Sequence, residues 1–166
     1  MIDLARRGRF ERASKIAAVA ALLAQPAFAD PCTAIPDRGP SPAWLRHGAT
    51  FAGPVVYVGD GDGLCLASVP GREADKSTWA EVRLANFYAP ELHEAGGPEA
   101  KAALERVAKG KAAICIAGKR SYDRIVAVCT VDGVDLGEAM RRAGISEGGR
   151  GRQVLPVPTR GSPYNR

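Results

Sequence analysis

The sequence predicts a mainly β fold with some α-helix, of the α+β class: a five-stranded barrel of the OB type that carries two helices. Five short runs of apolar and β-branched residues predict the strands. The hydrophobic period becomes helical between the third and fourth runs, and again after the fifth. Three strands, a helix, two strands and a closing helix are the order of elements in a barrel of this type.

The first three strands are predicted at Phe51–Val58, Leu64–Leu66 and Trp79–Phe87. The segment between the first two, Gly59–Gly63, holds three glycines and two aspartates, which favour a turn and do not sustain a strand. Polar residues at 71–77 predict a hairpin loop between the second and third strands. A three-stranded meander therefore begins the domain.

The first helix is predicted to begin at Pro98, because proline suits the first helical turn and Ala103, Leu104 and Val107 follow at helical spacing. Gly110 is a suitable residue to end this helix. A fourth strand is predicted at Ala112–Ala117 and a fifth at Ile125–Val131, joined by a polar loop at Gly118–Asp123. A tight turn at Asp132–Gly133 then leads to a second helix at Leu136–Ala143.

The two ends of the chain differ in composition from this domain. The N-terminus combines basic residues, a short apolar run and the triplet Ala27-Phe28-Ala29, which are the three parts of a cleavable secretory signal. A buried N-terminal helix or an uncleaved anchor is the alternative interpretation. The predicted boundaries are 1–29 for the signal, 30–50 for an irregular lead-in, 51–147 for the barrel domain and 148–166 for a disordered basic tail.

The net charge gives little reason to expect a general affinity for nucleic acid. The chain has 23 basic and 18 acidic residues, a net charge of +5. Residues 1–29 hold five of the basic and two of the acidic residues, so their removal leaves +2. Residues 148–166 hold four arginines and no acid, which leaves −2 for 30–147. A polyanion site must therefore depend on a local cluster of charge.

The four cysteines, Cys32, Cys65, Cys115 and Cys129, all follow the predicted signal. In the oxidising compartment that a secretory signal implies, an even number of cysteines predicts disulfides, and four cysteines allow three pairings. Four free buried thiols are the alternative at this point. No C-x-x-C pair occurs, so the spacing does not indicate a zinc knuckle.

Charged residues lie at or beside the ends of the predicted strands. Asp62 follows the first strand, Arg83 lies in the third, Glu91 follows the third, and Arg124 opens the fifth. If the strands close into a barrel, these positions can converge. Two carboxylates and two guanidiniums at one place suit phosphodiester hydrolysis, because a carboxylate can hold a divalent cation or accept a proton from water, and guanidiniums stabilise charge on phosphoryl oxygens.

Short motifs in a fixed order carry a resemblance to a known family. They are Asp60-Gly61-Asp62 after a strand, Val82-Arg83-Leu84 leading to Pro90-Glu91, Gly97-Pro98-Glu99-Ala100 at a helix start, Tyr122-Asp123-Arg124 before a strand, and Asp132-Gly133-Val134. With these motifs, residues 55–147 resemble the staphylococcal (thermo)nuclease family. Each motif alone is weakly specific, so the resemblance depends on their joint order and spacing.

The resemblance implies a role for five residues of this chain. Asp62 stands where the family has a calcium-binding aspartate, and Arg83 where it has an arginine that contacts the scissile phosphate. Glu91 stands at the glutamate proposed to activate the attacking water. Arg124 stands at a second arginine, which assists charge development and the leaving oxygen. Tyr122 stands at a tyrosine that contacts a phosphate group.

One departure from the family concerns the implied metal site. Where the family usually has Asp-Thr-Pro-Glu, this chain has Tyr88-Ala89-Pro90-Glu91, so a tyrosine replaces the second calcium-binding aspartate. Affinity for Ca²⁺ rises with the number of charged ligands. Ca²⁺ is therefore the implied cofactor, but we expect the site at Asp62 to be weak.

The expected function is that of an exported, metal-assisted nuclease, periplasmic or secreted, that hydrolyses DNA or RNA with little sequence preference. The alternative is a homologue with weakened or lost catalysis that acts as a binding module for an oligomeric ligand or a protein. We expect a monomer with nucleic acid as substrate or ligand, and no membrane span once the signal is removed.

Removal of the signal after Ala29 can be tested by N-terminal sequencing of the exported protein, which should begin at Asp30 because small residues occupy the cleavage site. Replacing the last residue of the signal with a bulky one, Ala29→Tyr, should block processing, whereas Ala29→Ser should leave it intact. A wild-type chain that starts at Met1 in a membrane fraction would contradict the prediction.

Overall fold

The computed structural model describes residues 30–148, so the predicted signal and almost all of the predicted tail lie outside the described part of the chain. The strands and helices are β1 (Thr50–Val58), β2 (Gly63–Ala67), β3 (Trp79–Leu84), α1 (Gly97–Ala108), β4 (Ala112–Ser121), β5 (Arg124–Val131), β6 (Val134–Asp135) and α2 (Leu136–Arg142). Short 3₁₀ turns occur at Ala43–Leu45 and Lys76–Thr78.

The strands close into a barrel through one parallel contact. They follow the order β3-β2-β1-β4-β5-β6, with antiparallel neighbours throughout, and β3 also pairs with β5 in parallel. In this parallel pair Val82 lies opposite Ile125, and Leu84 opposite Ala127. The result is a closed five-stranded mixed barrel with two helices, which confirms the predicted fold class.

The interior of the barrel follows the two-residue period of its strands. Val82 and Leu84 of β3 point into the core, as do Ile125 and Ala127 of β5, and the residues between them point outward. Leu104 of α1, like the inward strand residues, is almost completely buried. Burial of one such large aliphatic side chain contributes about 1.5–3 kcal/mol, so the inward positions hold the barrel together.

The third strand is shorter than predicted, since it ends at Leu84 and not at Phe87. The Asn86 side-chain amide donates hydrogen bonds to both carboxylate oxygens of Asp135, at 2.9 and 2.8 Å. Asp135 also caps the N-terminus of α2, because its Oδ1 accepts a hydrogen bond from the Glu138 N–H. The chain therefore leaves the sheet towards α2 immediately after β3.

The fourth strand is longer than predicted, because the polar segment 118–121 stays in the sheet. Arg120 pairs with Ile125, and Ser121 with Arg124, after an irregularity in the register that follows Ala117. The turn is confined to Tyr122 and Asp123, and Tyr122 has a positive φ of 57°. The two-residue strand β6 was not predicted; it extends the sheet by pairing with β5.

All four cysteines form disulfides, which confirms the prediction of disulfides and determines the pairing. Cys32–Cys65 joins the lead-in to β2, and Cys115–Cys129 joins directly opposed positions of β4 and β5 inside the core. Two disulfides are typical of proteins that fold in an oxidising compartment. Across residues 30–148, no helix is long and apolar enough to cross a bilayer.

Candidate functional site

The turn between β1 and β2 brings Asp62 to the end of the barrel. The Asp62 N–H donates a hydrogen bond to Asp60 Oδ1 at 3.0 Å, which closes the turn. Gly61 lies directly against the loop that follows β3 and against α1, because a Cβ placed on it would lie 2.4 Å from Ala89 Cβ and 2.5 Å from Ala100 Cβ. Only glycine fits between these two residues, so the turn packs tightly on the loop.

Asp62 is a buried carboxylate that connects three parts of the chain. Its side chain is almost completely buried, and its Oδ2 accepts hydrogen bonds from Arg83 Nη2 at 3.0 Å and from the Ala89 N–H at 3.1 Å. Its backbone C=O accepts a hydrogen bond from the Leu84 N–H at 2.8 Å. Asp62 thus links the β1–β2 turn to β3 and to the loop 85–96.

The protonated form of Asp62 is more favoured in the protein than it is for a free aspartate in water. Burial, followed by the nearby Asp60 carboxylate, raises the pKa of Asp62 to about 6, although Arg83 and the Ala89 N–H oppose the shift. At neutral pH the carboxylate is still mainly ionised, and its contact with Arg83 is a buried ion pair.

Arg83 and Arg124 lie on the same outward face of the barrel, at the parallel seam between β3 and β5. Arg83 is opposite Val126, so Arg124 lies on the neighbouring strand two residues before the position opposite Arg83. Both side chains are partly exposed, with relative exposures of 17% and 23%. The two guanidiniums that the sequence analysis selected are therefore on one surface, next to the buried Asp62.

Glu81 belongs to this surface and was not predicted. It lies on β3 two residues before Arg83, on the same outward face, and Arg124 Nε is 3.8 Å from Glu81 Oε1. Burial, then the Asp30 and Asp123 carboxylates, raises the pKa of Glu81 to about 8, and Arg124 offsets only part of this shift. The two-residue strand period could have indicated the shared face, but the contact with Arg124 depends on barrel closure.

Asp30 is a second residue that the sequence analysis missed. The Cys32 N–H donates a hydrogen bond to Asp30 Oδ1 at 2.7 Å, and the same oxygen lies 3.2 Å from Cys65 Sγ. Burial is the main cause that raises the pKa of Asp30. The disulfide to β2 thus holds a carboxylate from the lead-in close to Glu81 and Arg124, which no local sequence pattern indicates.

Glu91 lies in the loop that Asp62 holds through Ala89. Its N–H donates a hydrogen bond to Glu94 Oε2 at 3.0 Å, and its C=O accepts one from the Glu94 N–H at 2.8 Å. Gly97 packs against this backbone so closely that a Cβ there would lie 2.0 Å from the Glu91 carbonyl oxygen. The backbone position of Glu91 is therefore fixed from both sides, while its side chain stays partly exposed.

The two tyrosines that the sequence analysis named occupy different environments. Tyr122 is at the tip of the β4–β5 hairpin, 84% exposed and two residues before Arg124. Tyr88 is partly buried in the loop after β3, and its C=O accepts a hydrogen bond from the Gly148 N–H at 2.9 Å. Tyr122 is thus available to a ligand at the edge of the surface, whereas Tyr88 is part of the loop that supports the surface.

The residues at this surface do not fit a Ca²⁺ site, which requires six to eight oxygen ligands. Asp62 Oδ2 is already engaged by Arg83, and Tyr88 has no carboxylate to offer as a second charged ligand. Within residues 30–148, the grouping of potential metal ligands is Asp30, Cys32 and Cys65, and its two sulfurs are joined in a disulfide. We therefore assign no metal to the site.

Comparison with known proteins does not identify the chain: no protein-family model matches it, and a search of curated proteins finds no significant match. Its chemistry must be inferred from the site itself. A pair of guanidiniums beside a buried carboxylate, with a glutamate on the adjoining loop, is suited to binding and polarising a phosphodiester.

Replacing Gly61 with alanine should destabilise the protein by about 1–3 kcal/mol, because the added methyl group overlaps Ala89 and Ala100. The matched control is Gly59→Ala in the same turn, where the nearest atoms are 3.7 Å from the added Cβ. Urea unfolding of the two variants measures the difference. Equal stabilities for both variants would show that the turn does not pack on the loop as described.

Proposed function

We propose that this protein is an exported phosphodiesterase of the staphylococcal nuclease type, periplasmic or secreted, which acts on DNA or RNA with little sequence preference. The observation that carries the proposal is the placement of Arg83 and Arg124 on one outward face, beside the buried Asp62. Guanidiniums bind phosphate oxygens through charge-assisted hydrogen bonds that ignore base identity. A site built on them selects the backbone of a nucleic acid and not its sequence.

In the proposed reaction, water attacks phosphorus in line with the leaving oxygen. The bond between phosphorus and that oxygen breaks, and the leaving oxygen keeps the electron pair and takes a proton from solvent. Glu91 accepts the proton of the attacking water, since a carboxylate on an adjoining loop can act as general base. Arg83 and Arg124 stabilise the negative charge that grows on the phosphoryl oxygens. Asp62 positions Arg83 and, through Ala89, the loop that carries Glu91.

Tyr122 has a supporting role in this proposal. Its largely exposed side chain lies two residues before Arg124, at the tip of the hairpin. A phenol there can donate a hydrogen bond to a phosphate next to the scissile one. The resemblance also implies Ca²⁺, which would add positive charge at the phosphate, but the poor set of donors leads us to derive no step from it.

A second function, binding of nucleic acid without cleavage, is favoured by one specific observation. Each arginine already faces a carboxyl group: Arg83 is paired with Asp62, which is mainly ionised at neutral pH, and Arg124 lies beside Glu81, whose raised pKa of about 8 makes it a carboxylate only at higher pH. The face can still bind a phosphate, but the carboxylates reduce the positive charge that is available to stabilise the transition state. Together with Tyr88 at the metal position, this arrangement would weaken hydrolysis more than binding.

A nuclease assay on plasmid DNA and on RNA, with Ca²⁺ and with chelator, distinguishes the two functions. If the protein cleaves, Arg83→Ala and Arg124→Ala should each lower the rate about 100-fold or more, as expected for loss of a charge-stabilising donor. Arg46→Ala, which alters an exposed arginine of the lead-in, is the control and should cleave like the wild type. Arginine-dependent binding without cleavage supports the second function, and variants as active as the wild type would contradict both.

Restoring a carboxylate at the metal position with Tyr88→Asp should raise the affinity for Ca²⁺ and the rate of cleavage together, each by roughly tenfold or more, because an added carboxylate strengthens calcium binding. Tyr88→Phe is the matched control and should change neither. Calcium titration by calorimetry and the plasmid assay measure the two effects. The proposed correspondence of Tyr88 with the family's metal ligand is wrong if Tyr88→Asp leaves both unchanged.

A further inference from the structure

Glu81, which lies beside Arg124, has no role in the reaction described above. The two residues lie side by side on the parallel strands β3 and β5, one position before the paired residues Val82 and Ile125. Their closest polar atoms are 3.8 Å apart, which is longer than the 2.7–3.2 Å of an N–H···O hydrogen bond. Arg124 is therefore held by charge and not by a directed hydrogen bond, so its guanidinium can turn towards another anion.

Carboxylates surround this pair from several elements. Asp30 comes from the lead-in, Asp60 from the β1–β2 turn and Asp123 from the β4–β5 hairpin, and all three interact electrostatically with Glu81. On β2, the residue in register with Glu81 is Cys65, whose disulfide removes its titration. Four acids thus lie close to Arg124, and a phosphate that approaches Arg124 adds further negative charge. Cleavage after Ala29 would also place the new α-amino group of Asp30 beside this cluster, and an α-amino group ordinarily titrates at about pH 8.

We propose that Glu81 is a positioning residue that competes with phosphate for Arg124, so that binding of a phosphodiester beside Arg124 is coupled to the uptake of one proton by Glu81. The inference rests on the proposed function, since it takes Arg124 as a phosphate contact. It goes further by assigning to Glu81 control over when Arg124 is available.

The direction of the coupling follows from electrostatics. The pKa of Glu81 is raised to about 8, so near neutral pH the group is mainly protonated and leaves Arg124 free to contact a phosphate. Above pH 8 the ionised Glu81 retains Arg124 and repels the phosphate. A bound phosphate raises the pKa of Glu81 further, because a neighbouring anion disfavours the carboxylate. Binding above pH 8 must therefore take up a proton.

The test is calorimetric titration of the exported protein with a phosphorothioate deoxyadenylate octamer, which resists cleavage and keeps a constant charge between pH 7 and 9. Measurements in buffers of different ionisation enthalpy give the number of protons taken up. We expect the uptake due to Glu81 to be a small fraction of a proton at pH 7 and most of a proton at pH 9, and the affinity to fall roughly several-fold from pH 7 to pH 9.

Four variants separate the proposed role from a structural one. Glu81→Gln should lose the part of the proton uptake that is due to Glu81, which is largest above pH 8, and any uptake that remains belongs to the α-amino group of Asp30. Glu81→Asp keeps a carboxylate and should keep the full uptake. Asp30→Asn keeps the Oδ1 acceptor for Cys32 but removes a charge that raises the pKa of Glu81, so its proton uptake at pH 7 should increase. Asp37→Asn alters an exposed acid of the same lead-in and should behave like the wild type.

The outcomes distinguish this inference from the proposed function. Wild-type proton uptake in Glu81→Gln, or a decrease in uptake at pH 7 in Asp30→Asn, would overturn the role of Glu81 and leave nucleic-acid binding intact. A wild-type protein that does not bind the octamer at any pH would overturn both. Circular dichroism at pH 7 establishes that each variant is folded, and Asp30→Asn decides the question if Glu81→Gln is not.

Discussion

The buried carboxylate of Asp62 is the interaction on which the candidate site depends. One oxygen, Oδ2, accepts hydrogen bonds from the Arg83 side chain and the Ala89 backbone, while the neighbouring backbone carbonyl accepts from Leu84. A buried ionised group needs such partners, because an unpaired charge in the interior costs several kcal/mol. The same requirement that stabilises Asp62 thus fixes Arg83, the proposed phosphate contact, and the loop that carries Glu91.

The parallel pairing of β3 with β5 determines the position of the second arginine, Arg124. Without it, the sheet would be open, and Arg124 would lie at a strand end far from β3. Closure brings Arg124 beside Glu81 and onto the face of Arg83. The five-stranded barrel is therefore a means of placing residues from distant parts of the sequence on one surface, in addition to burying a core.

The sequence was sufficient to predict the fold class and most strands, because these follow from hydrophobic periods and element order. It predicted that Arg83 and Arg124 can converge only on the condition that the strands close into a barrel. It was not sufficient for Asp30 and Glu81. Asp30 is held at the surface by the neighbouring Cys32–Cys65 disulfide, one of three pairings that four cysteines allow. The contact of Glu81 with Arg124 depends on the pairing of β3 with β5. The extension of β4 was missed because its last residues, 119–121, are polar and break the apolar alternation, yet the strand continues to Ser121.

The hydrogen bond from the Gly148 N–H to the Tyr88 carbonyl has a practical consequence for protein engineering. It places the end of the described chain beside the loop of the candidate site, while Asp30 places the other end beside Arg124. A tag or fusion partner joined directly before Asp30 or directly after Gly148 is thus delivered to the candidate site. The exposed hairpin loop 70–74, at the opposite end of β2 and β3 from Arg83, is the better point of attachment for a fluorophore or an immobilisation handle.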